Sequence, residues 1–309
     1  MKFLNVYHKS DLDGWFSGAI VKHAFQDNQF DTLYQLGYEY GDEIPNIIYD
    51  FDGIIMTDII FDDMEVMLKL AKQYGKEFYY IDHHANTIKK LQKMFSENDV
   101  EITMFVNMED DASKKMSACE LTYLFFNTEP LPQLISNIGA FDCFRHTTFT
   151  PEKEEEILYH QFGASANINS VESAYIYYTN PIGVVDSFIK EGKSIKKYLD
   201  LTAQDIYKTG FVVNINTDDG VKKFIAINKE RFNPNIFGIN YTEEYDGAVS
   251  FHYVKNKWKF SIYSEKDDID CAVIASQFGG GGHKGAAGFH LNDINDFFKL
   301  KNNEMNESN

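Results

Sequence analysis

Tyr79-Tyr80-Ile81-Asp82-His83-His84-Ala85-Asn86 puts an abrupt change of chemistry at the end of an apolar, strand-like run. The run Phe78 to Ile81 stops on three side chains that can bind metal or move protons. Packing gives a buried strand no reason to end that way. In open α/β sheets, ligand sites gather beyond the carboxyl ends of the strands. Asp82, His83 and His84 are therefore candidate functional residues.

Working outward, the same pattern recurs. Phe3 to Tyr7 is a short apolar run followed by His8-Lys9-Ser10-Asp11-Leu12-Asp13-Gly14, and helical spacing then extends from Gly14 to Ala24. Gly53 to Thr57 predicts a second buried strand, ending on Asp58. Asp62-Asp63-Met64-Glu65 opens a helix predicted through Lys72, with acids in the first turn as the helix dipole favours. After Phe78 to Ile81, Ser117 to Phe126 and Leu134 to Ala140 read as helices, and Asp142 follows the second. Strands separated by helices of this length predict a parallel sheet covered on both faces.

The second half changes character. Residues 152–209 read as helical, with loops at Gly163 to Ser170 and at Asn180-Pro181, and Gly183 to Gly210 reads as one long connecting helix. Beyond Gly210 come strand-like segments at Phe211 to Ile215, Phe224 to Ile227, Gly247 to Val254 and Trp258 to Tyr263, with a hairpin turn at Lys255-Asn256. A last helix, Asp270 to Phe278, runs into Gly279-Gly280-Gly281-Gly282-His283. The expected fold is α/β: a parallel-sheet domain over 1–185 that carries the Asp and His candidates, a helical linker over 186–210, and a smaller α/β domain over 211–309 whose tail after Lys301 frays.

Bulk properties narrow the function. The 309 residues carry 29 Lys and Arg against 47 Asp and Glu, a formal net charge of −18. Such a chain repels long polyanions, because non-specific nucleic-acid binders use the opposite balance. Bound metals can still neutralise clustered carboxylates, so a phosphate-bearing substrate stays open. Cys119, Cys143 and Cys271 are scattered and without a CxxC spacing, which fits reduced thiols in a cytoplasmic protein. No apolar stretch approaches the roughly 20 residues that a membrane span needs.

The candidate ligands are five carboxylates, Asp11, Asp13, Asp58, Asp82 and Asp142, and three imidazoles, His8, His83 and His84. A helix cap accounts for Asp11 or Asp13 alone, but not for a His and two Asp together. If the turn is locally extended, alternation places Asp11 and Asp13 on a common side. Oxygen and imidazole donors without thiolates favour an ion such as Mn²⁺ over structural zinc. Two such ions about 3.5 to 4 Å apart can share a carboxylate and activate a bridging water for in-line attack on phosphorus. Near the C-terminus, Gly279 to Gly282 with His283-Lys284-Gly285-Ala286-Ala287-Gly288 forms a loop whose amides can cradle a phosphate or carboxylate. It lacks the Gly-Lys-Ser/Thr ending of a Walker A loop.

In this order the motifs resemble the DHH phosphoesterase family with its DHH-associated C-terminal domain, over nearly the whole chain. The resemblance implies that His8, Asp11 and Asp58 hold one Mn²⁺, and that Asp13, Asp58, His83 and Asp142 hold a second, with Asp58 as bridge. Mg²⁺ or Co²⁺ are alternative ions. It further implies that His84 faces the phosphate, that Asp82 orients an imidazole, and that the loop Gly279, Gly280, Gly281, Gly282, His283 grips substrate. Many relatives carry Ser-x-Arg-Ser in the strand before that loop. Here the stretch is Ser261-Ile262-Tyr263-Ser264, and Tyr263 can stack on a base or donate one hydrogen bond but cannot form the phosphate fork of Arg. The expected activity is Mn²⁺-dependent hydrolysis of short oligonucleotides to mononucleotides, with the second domain closing over the substrate. Alternatives are a small nucleotide substrate, such as a cyclic or linear dinucleotide or 3′-phosphoadenosine 5′-phosphate, and an inactive nucleotide-binding sensor. Neither long duplex nucleic acid nor a membrane is an expected partner, and a homodimer is common among relatives.

Overall fold

Gly53–Thr57 is buried at every position and forms β3, the middle strand of a five-stranded sheet in a computed structural model of the chain. Residues 1–26, 31–217, 220–230 and 232–298 are described; the tail expected to fray lies outside them. The other strands are β1 (Lys2–His8), β2 (Thr32–Tyr38), β4 (Phe78–Asp82) and β5 (Thr103–Val106), in the order β2-β1-β3-β4-β5, all parallel. Sequence reading omits β2 and β5, and the reason is visible. Both are edge strands without a continuous buried run, so they lack the apolar signal that marks β3 and β4.

Helices cover both faces. On one side α2 (Met64–Tyr74) and α3 (Ala85–Glu97) meet Leu4, Val6, Ile54, Met56, Phe78 and Tyr80. On the other, α1 (Leu12–Gln26) shares Val21 with Phe3 and Ile55. Alternation along β1 and β3 sends one set of residues to each layer. Around α1 pack α4 (Ala118–Phe126), α5 (Gln133–Asp142), α6 (Pro151–Asn167) and α7 (Val171–Thr179), with Phe16, Ile20, Ile135, Ile138 and Phe188 in a common core. The loop expected from Gly163 begins only after Asn167. Gly163 stays within that helix as a close-packing position against the helix Val184–Tyr207: a Cβ there would lie 2.0 Å from the carbonyl oxygen of Phe188.

The chain divides into two units, Met1–Ile195 and Lys196–Asn309, and the division falls inside α8 (Val184–Tyr207). The second unit is a mixed six-stranded sheet in the order β10-β11-β9-β8-β7-β6. Its strands are β6 (Phe211–Thr217), β7 (Gly220–Asn228), β8 (Gly247–Val254), β9 (Lys257–Tyr263), β10 (Gly281–Gly282) and β11 (Ala286–Leu291). The turn between β8 and β9 puts Lys255 and Asn256 at φ 48° and 63°, the left-handed pair that a tight hairpin demands. One face of the sheet buries Phe251, Phe260 and Phe289 against α9 (Cys271–Ser276) and α10 (Asn295–Phe298). No helix among the described residues is long and apolar enough to cross a membrane.

Candidate metal centre

The order β2-β1-β3-β4-β5 reverses direction between β1 and β3, and open α/β sheets bind ligands at the carboxyl ends of strands beside such a reversal. β1 ends on His8, β3 is followed by Asp58, and β4 ends on Asp82. Parallel pairing of Tyr7 with Thr57, and of Thr57 with Ile81, brings the three ends level. Asp58 leaves its strand at φ 63° while its N–H donates to the Ile81 carbonyl at 3.0 Å. Asp tolerates this left-handed backbone better than most residues, at a cost of order 1 kcal/mol. Strain of that kind concentrates at functional sites.

Asp58 faces two groups at once. Its Oδ2 lies 3.4 Å from Nδ1 of His8, which in turn is 2.8 Å from Oδ2 of Asp11. Its Oδ1 lies 3.6 Å from Nε2 of His83, which is 3.2 Å from Oδ2 of Asp142 and 3.8 Å from Oδ2 of Asp13. His8, Asp11 and Asp58 thus form one potential ligand group, and Asp13, His83 and Asp142 another; within each group the donor atoms all lie within 4.8 Å of one another.

Asp11 and Asp13 do not share a side. The turn is helical rather than extended, because α1 already starts at Leu12. Asp11 both caps that helix, its Oδ1 accepting from the Gly14 N–H at 2.9 Å, and presents Oδ2 to His8. Gly14 is obligatory here, since a Cβ would lie 2.1 Å from the His8 carbonyl oxygen. Asp13 points the other way, into the protein. Its carboxylate accepts from the N–H groups of Ala118 at 2.9 Å and Cys119 at 2.8 Å, the first two residues of α4. No local signal in the sequence announces that contact, because it joins residues more than a hundred positions apart.

Asp82 spends its acceptor capacity on support. It accepts from the Tyr80 hydroxyl, from the His83 and His84 N–H groups at 2.6 and 3.2 Å, and meets Nδ1 of His84 at 2.8 Å. Two further residues join the centre that sequence reading missed. Glu39, just past β2, places Oε2 3.5 Å from Nε2 of His8, and Tyr40 holds a half-exposed ring 6.5 Å from the His8 ring. Both follow the edge strand that carries no strong apolar signal, so neither was legible as a strand-end residue.

The electrostatics fit a cation. Among the described residues, the ion pairs of Asp11, Asp13, Asp58, Asp82 and Asp142 are all with His8, His83 or His84. Burial, then repulsion from Asp58 and Asp142, pushes the Asp13 pKa well up. Burial likewise raises Asp142 to about 7, with Asp58 and Asp11 adding to it against the pull of His83. Burial resists ionising Asp58 as well, yet bonds to His8 and His83 hold its carboxyl far below the usual range. For His84 burial opposes charge, but the Asp82 carboxylate prevails and raises its pKa to about 9. A divalent ion at each group would relieve the Asp13 and Asp142 repulsion and replace the protons on His8 and His83. The donor set, oxygen and imidazole without thiolate, suits Mn²⁺ or a similar ion.

The substrate-loop residues lie in the second unit. Gly281 and Gly282 pair with Gly288 and Ala287 in a tight hairpin, and β11 sets Ala286 opposite Tyr263. Three of the four glycines are required by the backbone itself. Gly279 and Gly282 sit at φ 76° and 143°, and a Cβ on Gly280 would lie 2.1 Å from the Gly288 carbonyl oxygen; Gly281 alone of the four has neither a positive φ nor a neighbour within 4 Å. Tyr263 is half-buried, and burial pushes its hydroxyl pKa up.

Fold and donor set together define a two-unit α/β protein with a carboxylate–imidazole centre at the sheet's switch point, the architecture that the resemblance to DHH phosphoesterases implies. No family model matches the chain. RecJ from Thermus thermophilus, solved in complex with Mn²⁺, is similar at TM-score 0.52 and 12% identity, over 97% of this chain and 51% of that one. The pGpG-specific phosphodiesterase PggH from Vibrio cholerae is similar at TM-score 0.47 and 14% identity, over 97% and 96%. In sequence, uncharacterized protein R106 of Acanthamoeba polyphaga mimivirus is 22% identical over 94% of this chain and 67% of its own length.

Proposed function

We propose that this protein is a metal-dependent phosphodiesterase of the DHH type, acting with Mn²⁺ on short oligonucleotides. The observation that carries the reading is Asp58, whose two oxygens face two separate His/Asp groups from a strained left-handed backbone. A carboxylate placed so is suited to bridging two ions, with His8 and Asp11 completing one set and Asp13, His83 and Asp142 the other. Two ions held there would stabilise both the attacking and the leaving oxygen of an in-line displacement at phosphorus.

The remaining residues divide the work around that chemistry. Asp82 fixes the His84 ring through Nδ1, so Nε2 is the nitrogen suited to meeting a phosphate oxygen. Against burial, His84 has its pKa raised by the Asp82 carboxylate, which favours a protonated ring that can meet a substrate anion. It is also among the more open groups of the centre, its side chain 39% exposed. A net charge of −18 supports short substrates, because long single strands are bound along basic tracks. The Gly279–Gly282 hairpin, with His283 and Tyr263, is the proposed grip on a terminal phosphate or base.

Labelled oligonucleotides from two to about twenty residues, together with cyclic dinucleotides and 3′-phosphoadenosine 5′-phosphate, are to be offered in Mn²⁺. Rates highest for the shortest linear oligomers are expected. Rates that rise with length would remove the short-substrate claim, and no turnover by protein shown to hold two ions would remove the enzyme.

A further inference from the structure

We infer that the buried pair Glu120–Arg145 positions the ligands of one metal group, Asp13 with His83 and Asp142, and leaves the His8 group alone. The inference rests on the two-ion reading above. Glu120 is 1% exposed in the first turn of α4. Its Oε2 accepts from the Ser117 N–H at 3.1 Å, closing the turn that aims the Ala118 and Cys119 N–H groups at Asp13. The Arg145 guanidinium grips both oxygens, Nη1 donating to Oε2 at 2.9 Å and Nη2 to Oε1 at 2.5 Å. It also donates to the Lys115 carbonyl, tying down the chain just before the same turn.

Arg145 can reach because of how α5 ends. Asp142 is the last residue of that helix, and Phe144 turns the chain back through a left-handed φ of 59°. One turn earlier, Gly139 packs directly on the Glu120 carboxylate, where a Cβ would lie 2.4 Å from its Cδ. A single buried carboxylate therefore joins the helix start that holds Asp13 to the helix end that carries Asp142. His8 and Asp11 lie on β1 and its turn and make none of these contacts. Burying an ion pair is costly and is weak evidence for stability as such, so a positioning role accounts for it better. Polar partners that orient metal ligands are worth about 10- to 100-fold in metal affinity.

The test is Mn²⁺ titration of the full chain by isothermal calorimetry, with kcat and KM measured across Mn²⁺ concentrations. Wild type is expected to bind two ions. Glu120→Gln should weaken one of them about 10- to 100-fold and leave the other within twofold. Its kcat should fall at low Mn²⁺ and recover at high Mn²⁺ with substrate KM unchanged, whereas a merely structural loss would lower the number of binding-competent chains and would not recover. Arg145→Lys should fall between wild type and Glu120→Gln. If Glu120→Gln fails to fold, Ala118→Pro carries the test. It removes one donor to Asp13 at the first helical position, where proline is tolerated, and should weaken the same single ion. Both ions bound with wild-type affinity in folded variants, or both weakened alike, would overturn the positioning role. A wild type that binds fewer than two ions would instead overturn the functional reading on which it rests.

Discussion

Asp58 is where backbone and charge make separate demands on one residue, and substitutions can separate them. Its φ of 63° favours Asp or Asn, and its two oxygens face His8 and His83. Asp58→Asn keeps the backbone tolerance and one oxygen but removes the charge that can bridge two ions. Its activity should fall about a thousandfold, since a bridging charge is worth several kcal/mol in the transition state. Denaturant melts at neutral pH without metal should also place it below wild type, because the Asp58 carboxyl, held against burial far below the usual range by His8 and His83, stabilises the fold as an ion. Asp58→Ala should be equally inactive and less stable than the Asn variant, by about 1 kcal/mol for the left-handed backbone alone. Wild-type turnover by Asp58→Asn would remove it from the bridging role. The candidate residues were legible because each is a charge placed where an apolar run stops. Glu39 and the amides that hold Asp13 were not, because one follows an edge strand with a weak pattern and the others are backbone groups without a side-chain signature.

At the scale of elements, sequence periodicity finds the buried strands and long helices and misses what is only half covered. β3 and β4 are apolar runs because both faces are packed, while β2 and β5 are edges. Helix α6 shows a second limit. Its His160 is fully buried, and neither ring nitrogen has a hydrogen-bond partner among the described residues. The ring packs edge-on to Phe188 of α8 at 5.6 Å between centroids, so it serves as core, and nothing in the pattern separates it from a surface histidine. Burial lowers its pKa from the ordinary 6.5 to about 4, with Lys153 acting in the same direction. The unfolded chain therefore takes up a proton first as pH falls from 6.5 towards 4, and the contribution of this residue to stability is lost over that window. By pH 4 the loss is about 3 kcal/mol. His160→Phe should be at least as stable as wild type at pH 7 and should gain about 3 kcal/mol relative to it by pH 4, measured by urea unfolding at both values. A difference between the two proteins that is the same at both pH values would show that His160 does not titrate on unfolding.

For the molecule as a whole, 47 acidic residues against 29 basic ones are balanced unevenly, and the centre in the first unit gathers Asp11, Asp13, Asp58, Asp82 and Asp142, whose ion pairs among the described residues are with imidazoles. A divalent ion that binds the folded centre and not the unfolded chain stabilises by mass action, by about 2.7 kcal/mol at a hundred times its dissociation constant. For a unit of this size that corresponds to a rise in Tm of roughly 5–10 °C. The effect belongs to Met1–Ile195, because the ligand groups lie entirely within it. Hydrogen exchange followed by mass spectrometry should therefore show Mn²⁺ protecting β1, β3, β4 and the start of α4, with the strands of the second sheet unchanged. Because the imidazoles must give up protons to bind metal, the gain should grow from pH 6 to pH 8. Asp58→Asn should abolish most of the gain at equal Mn²⁺. Protection confined to the second sheet, or a full rise in Tm in Asp58→Asn, would place the ion elsewhere and dissociate the acidity of the chain from the chemistry at its strand ends.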